Sequence, residues 1–346
     1  MRALLASALL LVLCGADEPR RNFDIYFIDV LGGAATLIVT PSGESVLIDS
    51  GWAGNQDRDP IRIESVLKGQ AKLDHLDHLV TTHWHMDHFG GVEGIAKRLR
   101  VDHYWDRGLP DPSAENGDKA NYPDGPAPGD KLGDAYRRAS LGKRKALKAG
   151  DSLPLKGVES LVLASGGKVI EGPSGPINPA CESSPPDQAV DRSDNARSLA
   201  FRFRLGSFDF LDCGDLTWNV EKQLVCPVDK VGPIDLYQVT HHGMDISNHP
   251  TLVATIAPTV AVMNNGPRKG GAPETVKRLR SISSIQAAYQ LHKNAQTPAE
   301  ENAEPARIAN ADPKGGQFIR VSVEPDGSSY SVQVGADGAK QVFRSR

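Results

Sequence analysis

The stretch Thr82-His83-Trp84-His85-Met86-Asp87-His88-Phe89-Gly90-Gly91 places three imidazoles and a carboxylate within six residues, directly after the apolar pair Leu79-Val80. Imidazole nitrogen and carboxylate oxygen together suit a borderline divalent cation such as zinc, and the H-x-H-x-D-H spacing offers donors enough for two ions. A loop leaving a buried strand can aim such groups at one point, and Gly90-Gly91 lets the backbone turn sharply into a helix. A polar loop with surface histidines is the plain alternative, but chance rarely yields this density of donors at this spacing. We read a metal site.

The elements that must position these groups show on both sides of the motif. Upstream, Asp24-Ile25-Tyr26-Phe27-Ile28-Asp29-Val30, a Gly32-Gly33 turn, Thr36-Leu37-Ile38-Val39, Pro41-Ser42-Gly43 and Ser45-Val46-Leu47-Ile48-Asp49-Ser50-Gly51 alternate as strands and turns do. Downstream, Ser198-Leu199-Ala200-Phe201 leads to Phe208-Asp209-Phe210-Leu211-Asp212-Cys213-Gly214-Asp215, and a later strand ends in Val239-Thr240-His241-His242-Gly243. In combination, from about Phe23 to about Val334, these segments resemble the metallo-β-lactamase superfamily. They are most similar to its ComEC/Rec2-like branch, related to the periplasmic domain of the competence protein ComEC. The resemblance implies an α+β fold, the four-layer αββα metallo-β-lactamase sandwich, with two sheets face to face, helices outside and metals at one edge.

The resemblance also implies a ligand set: His83 and His85 on a first ion, Asp87 and His88 on a second, and Asp215 bridging them. The last ligand comes from the His241-His242 pair. His242 is preferred, leaving His241 as an acid or substrate contact, with the reverse assignment open. Asp87 doubles as a residue orienting the attacking hydroxide. Asp49 is either an acceptor for a ligating imidazole or a turn former. Classical members carry a further histidine before the Gly-Asp strand. Here only His103 lies between His88 and Asp215, too soon after the first helix, and it reads as structural or surface. Asp194-Asn195 matches the ComEC-like branch, and either of the two is then expected to face the first ion or the substrate. His75, His78, His249 and His292 read as surface or turn residues. Arg268-Lys269 reads as a solvated loop, with an anion contact at the site mouth as the alternative.

Composition sets the frame. The 346 residues have room for one large domain or two small ones, and 39% hydrophobic with 24% charged residues is ordinary for a globular chain. A formal net charge of −4 gives no ground for strong nucleic-acid binding, and the basic run from Arg137 to Lys148 reads as a solvated helix face. Arg2, the apolar stretch Leu4 to Leu13 and Cys14-Gly15-Ala16 read as a signal peptide over 1–16, giving a periplasmic or extracellular protein. Cys14 raises a lipoprotein, against which bulky Leu13 argues. No later segment is apolar and long enough to cross a membrane. Residues 17–346 read as a single domain with polar insertions near 106–134 and 165–197, the first bordering the site mouth.

Helices are expected near 92–98, 219–224, 250–256 and 273–282, with a polar, mobile stretch at 292–314 and a closing hairpin after it. Cys213 reads as a small buried thiol. Cys181 and Cys226 pair only if the fold brings them together.

The function these readings favour is an exported binuclear hydrolase, in which a metal-bridging hydroxide attacks a phosphodiester or phosphate ester. Two divalent ions are implied, zinc by default and manganese or iron as alternatives. The partner is a small-molecule or phosphoester substrate. Hydrolysis of a β-lactam or lactone uses the same hydroxide but is less favoured, because true β-lactam hydrolases generally keep the absent histidine. A non-catalytic, metal-stabilised binding protein is the third reading.

Overall fold

Successive side chains of the first strand enter different hydrophobic layers, and that alternation sets the architecture. The computed structural model describes residues 21–111, 113, 118–127, 129–172 and 175–346. In it, β1 (Phe23–Phe27) sends Phe23, Ile25 and Phe27 into one core and Tyr26 into another. Next come β2 (Thr36–Val39), β3 (Ser45–Ile48), α1 (Arg58–Gly69), β4 (His75–Val80), α2 (Met86–Phe89), α3 (Val92–Arg98), β5 (Arg100–Asp106), α4 (Lys131–Ala139) and β6 (Arg144–Ala146). The second half holds β7 (Glu159–Ser165), β8 (Lys168–Val169), β9 (Ala200–Leu205), β10 (Phe208–Asp212), α5 (Trp218–Val225), β11 (Leu236–Gln238) and α6 (Pro250–Ile256). It continues through β12 (Val260–Met263), α7 (Pro273–Ser281), β13 (Ala287–His292) and β14 (Ile308–Asn310). β15 (Ile319–Val323), β16 (Ser329–Val334) and β17 (Gln341–Arg344) then return to the first sheet.

One sheet runs β17-β16-β15-β1-β2-β3-β4-β5-β6, the other β14-β13-β12-β11-β10-β9-β7-β8. Between them, Phe27 packs edge-on against Phe210 and Phe23 against Phe208, at centroid distances of 6.0 and 6.2 Å. The outer face of the first sheet (Leu37, Leu47, Leu76, Leu79) takes Ile63, Val66 and Leu67 of α1 and Val92 and Ile95 of α3. The outer face of the second (Leu211, Tyr237, Ala261, Met263) is covered by α5, α6 and α7. Helix, sheet, sheet and helix give the αββα sandwich expected from the sequence. Burying a side chain such as Leu47 or Leu252 contributes about 2 kcal/mol, so each layer holds the next.

The pairs β3/β4, β4/β5, β10/β11 and β11/β12 are parallel, so their carboxyl ends lie at one edge of the sandwich. That edge carries the loops after β3, β4, β10, β11 and β12.

Three expectations are corrected. Residues 292–314 are not a loose segment: Asn294, Asn302 and Asn310 spend their side-chain amides on the backbone carbonyls of Gly270, Pro298 and Leu291. Side-chain amides do there what strand pairing does elsewhere. His292 is no surface residue, since its Nε2 lies 2.7 Å from the buried Asp29, which also takes Arg62 at 2.7 Å. The helix α1 was missed, because its apolar positions (Ile63, Val66, Leu67) sit among charges and its start has no capping side chain.

The expected signal peptide lies outside the described residues. Among those residues no helix is long and apolar enough to cross a membrane. Cys213 is buried and free, and Cys181 and Cys226 form a disulfide with Cα atoms 5.9 Å apart. The bridge ties the second insertion to the end of α5 and closes a loop across 45 residues. Replacing both cysteines by serine should lower unfolding free energy by about 2–4 kcal/mol, read by urea denaturation, with wild type in reductant shifting in the same direction.

Candidate metal centre

The loop after β4 turns through α2 and carries the whole H-x-H-x-D-H motif to the sheet edge. Close approach makes its glycines necessary: a Cβ on Gly91 would sit 2.0 Å from the Ser50 carbonyl oxygen, and one on Gly33 would sit 2.4 Å from that of Asp87. After β10, Asp212 Oδ1 accepts from Gly214 N at 2.8 Å and shapes the turn that presents Asp215. After β11, His241 and His242 adopt consecutive left-handed conformations, with φ of 55° and 54°. Two non-glycine residues there cost of order 1–3 kcal/mol each and persist only where the surroundings enforce them. Here Asn248 does so, donating to Thr240 O and Met244 O at 3.0 and 3.1 Å.

These turns converge. Ligand atoms of Asp87, His88, Asp215 and His242 all lie within 4.8 Å of one another, and all four residues are buried. His88 Nε2 is 3.1 Å from Asp215 Oδ2, 3.2 Å from His242 Nε2 and 3.3 Å from Asp87 Oδ2. His242 Nε2 is 3.2 Å from Asp87 Oδ2 and 3.3 Å from Asp215 Oδ2. His83 Nε2 stands 3.9 Å from Asp215 Oδ2 and 3.1 Å from His85 Nδ1. His241 lies slightly outside, its Nε2 3.5 Å from Asp215 Oδ2 and 3.4 Å from the Asn195 side-chain amide. The structure thus brings together His83, His85, Asp87, His88, Asp215, His241 and His242.

Acceptors behind the rings decide which nitrogen faces inward. His88 Nδ1 donates to Asp49 Oδ2 at 2.7 Å, and His242 Nδ1 donates to Asn264 O at 3.0 Å. Thr82 donates its hydroxyl to Asp49 Oδ2 at 2.8 Å, so its oxygen accepts from His83 Nδ1 at 3.1 Å. Ser247 donates to Leu216 O and accepts from His241 Nδ1 at 3.1 Å. Four imidazoles therefore turn an Nε2 lone pair toward the two carboxylates, the pattern of ring orientation that metal ligation uses. His85 is reversed: its Nδ1 faces His83, and its Nε2 lies 3.3 Å from Asp124 Oδ2 of the first insertion.

The charges agree with a cation site. Burial alone would raise Asp87 and Asp215, yet the surrounding histidines hold both well below the usual carboxylate range. Burial alone would lower His88, yet Asp215, Asp87 and Asp49 drive it well above its ordinary value. These carboxylates demand positive charge, which a divalent cation supplies best. Asn195 Oδ1 is buried without a hydrogen-bond partner among the described residues, an oxygen donor on the side chain whose amide neighbours His241. The residues fit a metal centre.

Several readings change here. Asp194 does not face the centre: it is wholly buried, paired with Arg107, and accepts from Trp84 N at 2.6 Å. Asp49 has both features weighed for it, a positive φ of 61° and a carboxylate bonded to a cluster imidazole. Lys269 is not merely on a solvated loop, since its ammonium contacts Asp87 Oδ2 and lies 5.2 Å from the Trp52 ring centroid. His78 is buried and accepts from Trp105 Nε1 at 3.1 Å, and His249 is buried as the cap of α6. Sequence reasoning missed Asp124, Asn264 and Ser247. The first lies in an insertion without a motif, and the other two act through main chain or hydroxyl.

The family model described as the metallo-beta-lactamase superfamily matches residues 28–174. That match covers the first sheet and the H-x-H-x-D-H loop, under half of the chain. A UPF0173 metal-dependent hydrolase of Herpetosiphon aurantiacus is 37% identical over 71 residues, 20% of this chain and 27% of that protein. The chain thus spans about a quarter of that relative's length in the match. Among solved structures, the CmlA beta-hydroxylase E377D mutant has a TM-score of 0.47 at 17% identity, covering 80% of this chain and 53% of its own. The metallo-beta-lactamase fold protein YhfI from Bacillus subtilis has a TM-score of 0.44 at 11% identity, covering 77% and 95%. The family match ends before Asp215 and the 241–242 pair, which the folded structure brings to the centre.

Two predictions follow from the second layer. Asp49→Asn should weaken metal binding about 10–100-fold in a chelator competition, because His88 Nδ1 loses its carboxylate acceptor and Thr82, which accepts from His83 Nδ1, loses the carboxylate it donates to. Unchanged affinity would leave Asp49 only a turn former. Behind the His241 loop, buried Glu221 accepts from His249 N at 2.8 Å, and burial pushes its carboxyl from 4.5 up to about 7. Its folded pKa is raised, so its contribution to stability is complete below 4.5 and lost as pH rises through about 7. His249 acts oppositely: burial lowers it from 6.5 to about 4, so stability is lost as pH falls through that range. The melting temperature of Glu221→Gln minus that of wild type should therefore grow from about pH 5 to about pH 8, reaching an equivalent of roughly 3 kcal/mol at most.

Proposed function

We propose that the protein is an exported, metal-dependent hydrolase acting on phosphodiesters or phosphate esters. One observation carries the hydrolase reading: histidines whose outward nitrogens are committed to protein acceptors present their inward nitrogens to two buried carboxylates at an open sheet edge. The relative described as a metal-dependent hydrolase supports it. Two divalent cations there, zinc by preference, supply an activated water near neutral pH and offset charge on the attacked group.

His83, His85 and Asp215 would hold a first ion and Asp87, His88 and His242 a second, with Asp215 able to serve both. Asn195, whose amide lies 3.4 Å from His241 Nε2, would offer its unpaired side-chain oxygen to a metal or a substrate at the same rim. His241 faces the same rim, and burial lowers its pKa to about 4. With its Nδ1 proton donated to Ser247, His241 presents Nε2 as a contact for the substrate. Lys269, carrying a positive charge at the mouth beside Trp52, draws in an anionic ester and binds a non-bridging oxygen. The phosphoester choice rests on that cation and on the His241-His242-Gly243 turn, which resembles the ComEC-like branch. Export is supported by the Cys181–Cys226 disulfide, a bond that persists in oxidising compartments, and by the leader-like stretch at 1–16.

Hydrolysis of bis(p-nitrophenyl) phosphate, with zinc or manganese supplied, tests this reading. Turnover should be lost on chelation without unfolding and fall at least about 10³-fold in Asp87→Ala. Turnover of a chromogenic cephalosporin alone would move the protein to carbonyl substrates. No turnover of either, with metal bound, would favour a structural role for the centre.

A further inference from the structure

A groove of about 720 Å³ is bounded by the first insertion, the end of β6, the β7–β8 turn and the turn Asn195–Arg197. Its charge is unlike that of the chain as a whole. Arg107, Lys148, Lys168 and Arg197 line it, against one carboxylate, Glu171. Arg107 is committed to the buried Asp194, and its guanidinium lies 4.6 Å from the centroid of the Tyr122 ring, also in the groove wall. Arg197 is committed differently. It donates to the carbonyl oxygens of Arg192, Ser193 and Ala120 at 3.0, 2.9 and 3.1 Å, which fixes the side chain and leaves its charge uncompensated. Lys148 and Lys168 are exposed. Among the described residues Arg197, Lys148 and Lys168 have no carboxylate within ion-pair distance, and Glu171 is the one carboxylate in the lining.

Three connections join this groove to the metal centre. Arg197 shares its turn with Asn195, whose amide is 3.4 Å from His241 Nε2. The partner of Arg107, Asp194, accepts from the N–H of Trp84, the residue between His83 and His85. Asn121, in the groove wall, lies three residues before Asp124, which faces His85 Nε2. The groove wall is thus tied, one residue or hydrogen bond removed, to the side chains at the rim of the centre.

We propose that the groove is a substrate subsite for an anionic chain: it takes the phosphodiester groups that continue from the one being cleaved. This rests on the phosphoester reading above. A chain with net charge −4 does not attract polyanions over its whole surface, so the local cations select an orientation, laying the substrate along one path into the centre. Tyr122 offers a ring beside that path, and the cations follow the backbone, as in grooves that hold single-stranded oligomers.

The test uses p-nitrophenyl 5′-esters of oligothymidylates of one, two and three nucleotides, which keep the scissile bond constant and add one phosphate at each step. With the full chain loaded with zinc or manganese, kcat/KM should rise roughly tenfold from the shortest ester to the longest, and the rise should weaken with salt. In the double variant Lys148→Glu, Lys168→Glu the ratio of longest to shortest should fall to about one. A rise of equal size in the variant, or no rise in wild type, overturns the subsite. Bis(p-nitrophenyl) phosphate is run beside them, and absence of turnover there counts against the phosphoester reading and not against the groove. Fluorescence anisotropy of a labelled oligothymidylate then decides the groove by itself. Weaker binding by the double variant supports it, and equal binding, or none by wild type, overturns it.

Discussion

Two carboxylates buried side by side are the constraint around which the molecule is organised. Asp87 and Asp215 come from different halves of the chain, and in low dielectric their repulsion is tolerated only where positive charge or strong donors are close. Four of the nearby rings are set to meet that demand. Asp49, Thr82, Ser247 and the Asn264 carbonyl each take a proton from the far side of an imidazole, so the near side offers a lone pair. The centre is consequently a property of the second layer as much as of the donors themselves.

The sandwich makes this meeting geometrically easy. Parallel strands in two facing sheets put their carboxyl ends at a common edge, and each loop leaving that edge needs only a few residues to reach the middle. The apolar layer between the sheets, dominated by Phe23, Phe27, Phe201, Phe203, Phe208 and Phe210, holds the two edges in fixed relation. The strained pair His241 and His242 is affordable because β11, α5 and the loop to α6 clamp it from three sides.

What could be read in the sequence divides along a physical line. Strands with clean alternation, the helices expected at 92–98, 250–256 and 273–282, and the donors of the H-x-H-x-D-H run were legible because each signal is local. Asp215 and His242 were legible only through resemblance, since nothing near them in sequence shows that they meet Asp87. The roles of Asp124, Ser247, Asn264 and Lys269 were hidden, because each depends on two loops approaching in space. The order in 292–314 was hidden for a related reason: three asparagines at intervals of eight serve as braces, yet such a composition usually marks a loose loop.

The position of β1 has a consequence for how the chain reaches its native state. It lies inside the nine-stranded sheet, paired on one side with β2 and on the other with β15, with Phe23 opposite Val323. A central strand laid down near the beginning of the described chain therefore stays half-unpaired until a segment some 300 residues later arrives. Closing so long a loop is slow, and an incomplete sheet presents a bare, strongly apolar edge. The fold thus ties completion of its first sheet to its last strands, which favours assembly as one late, cooperative event over growth from one end.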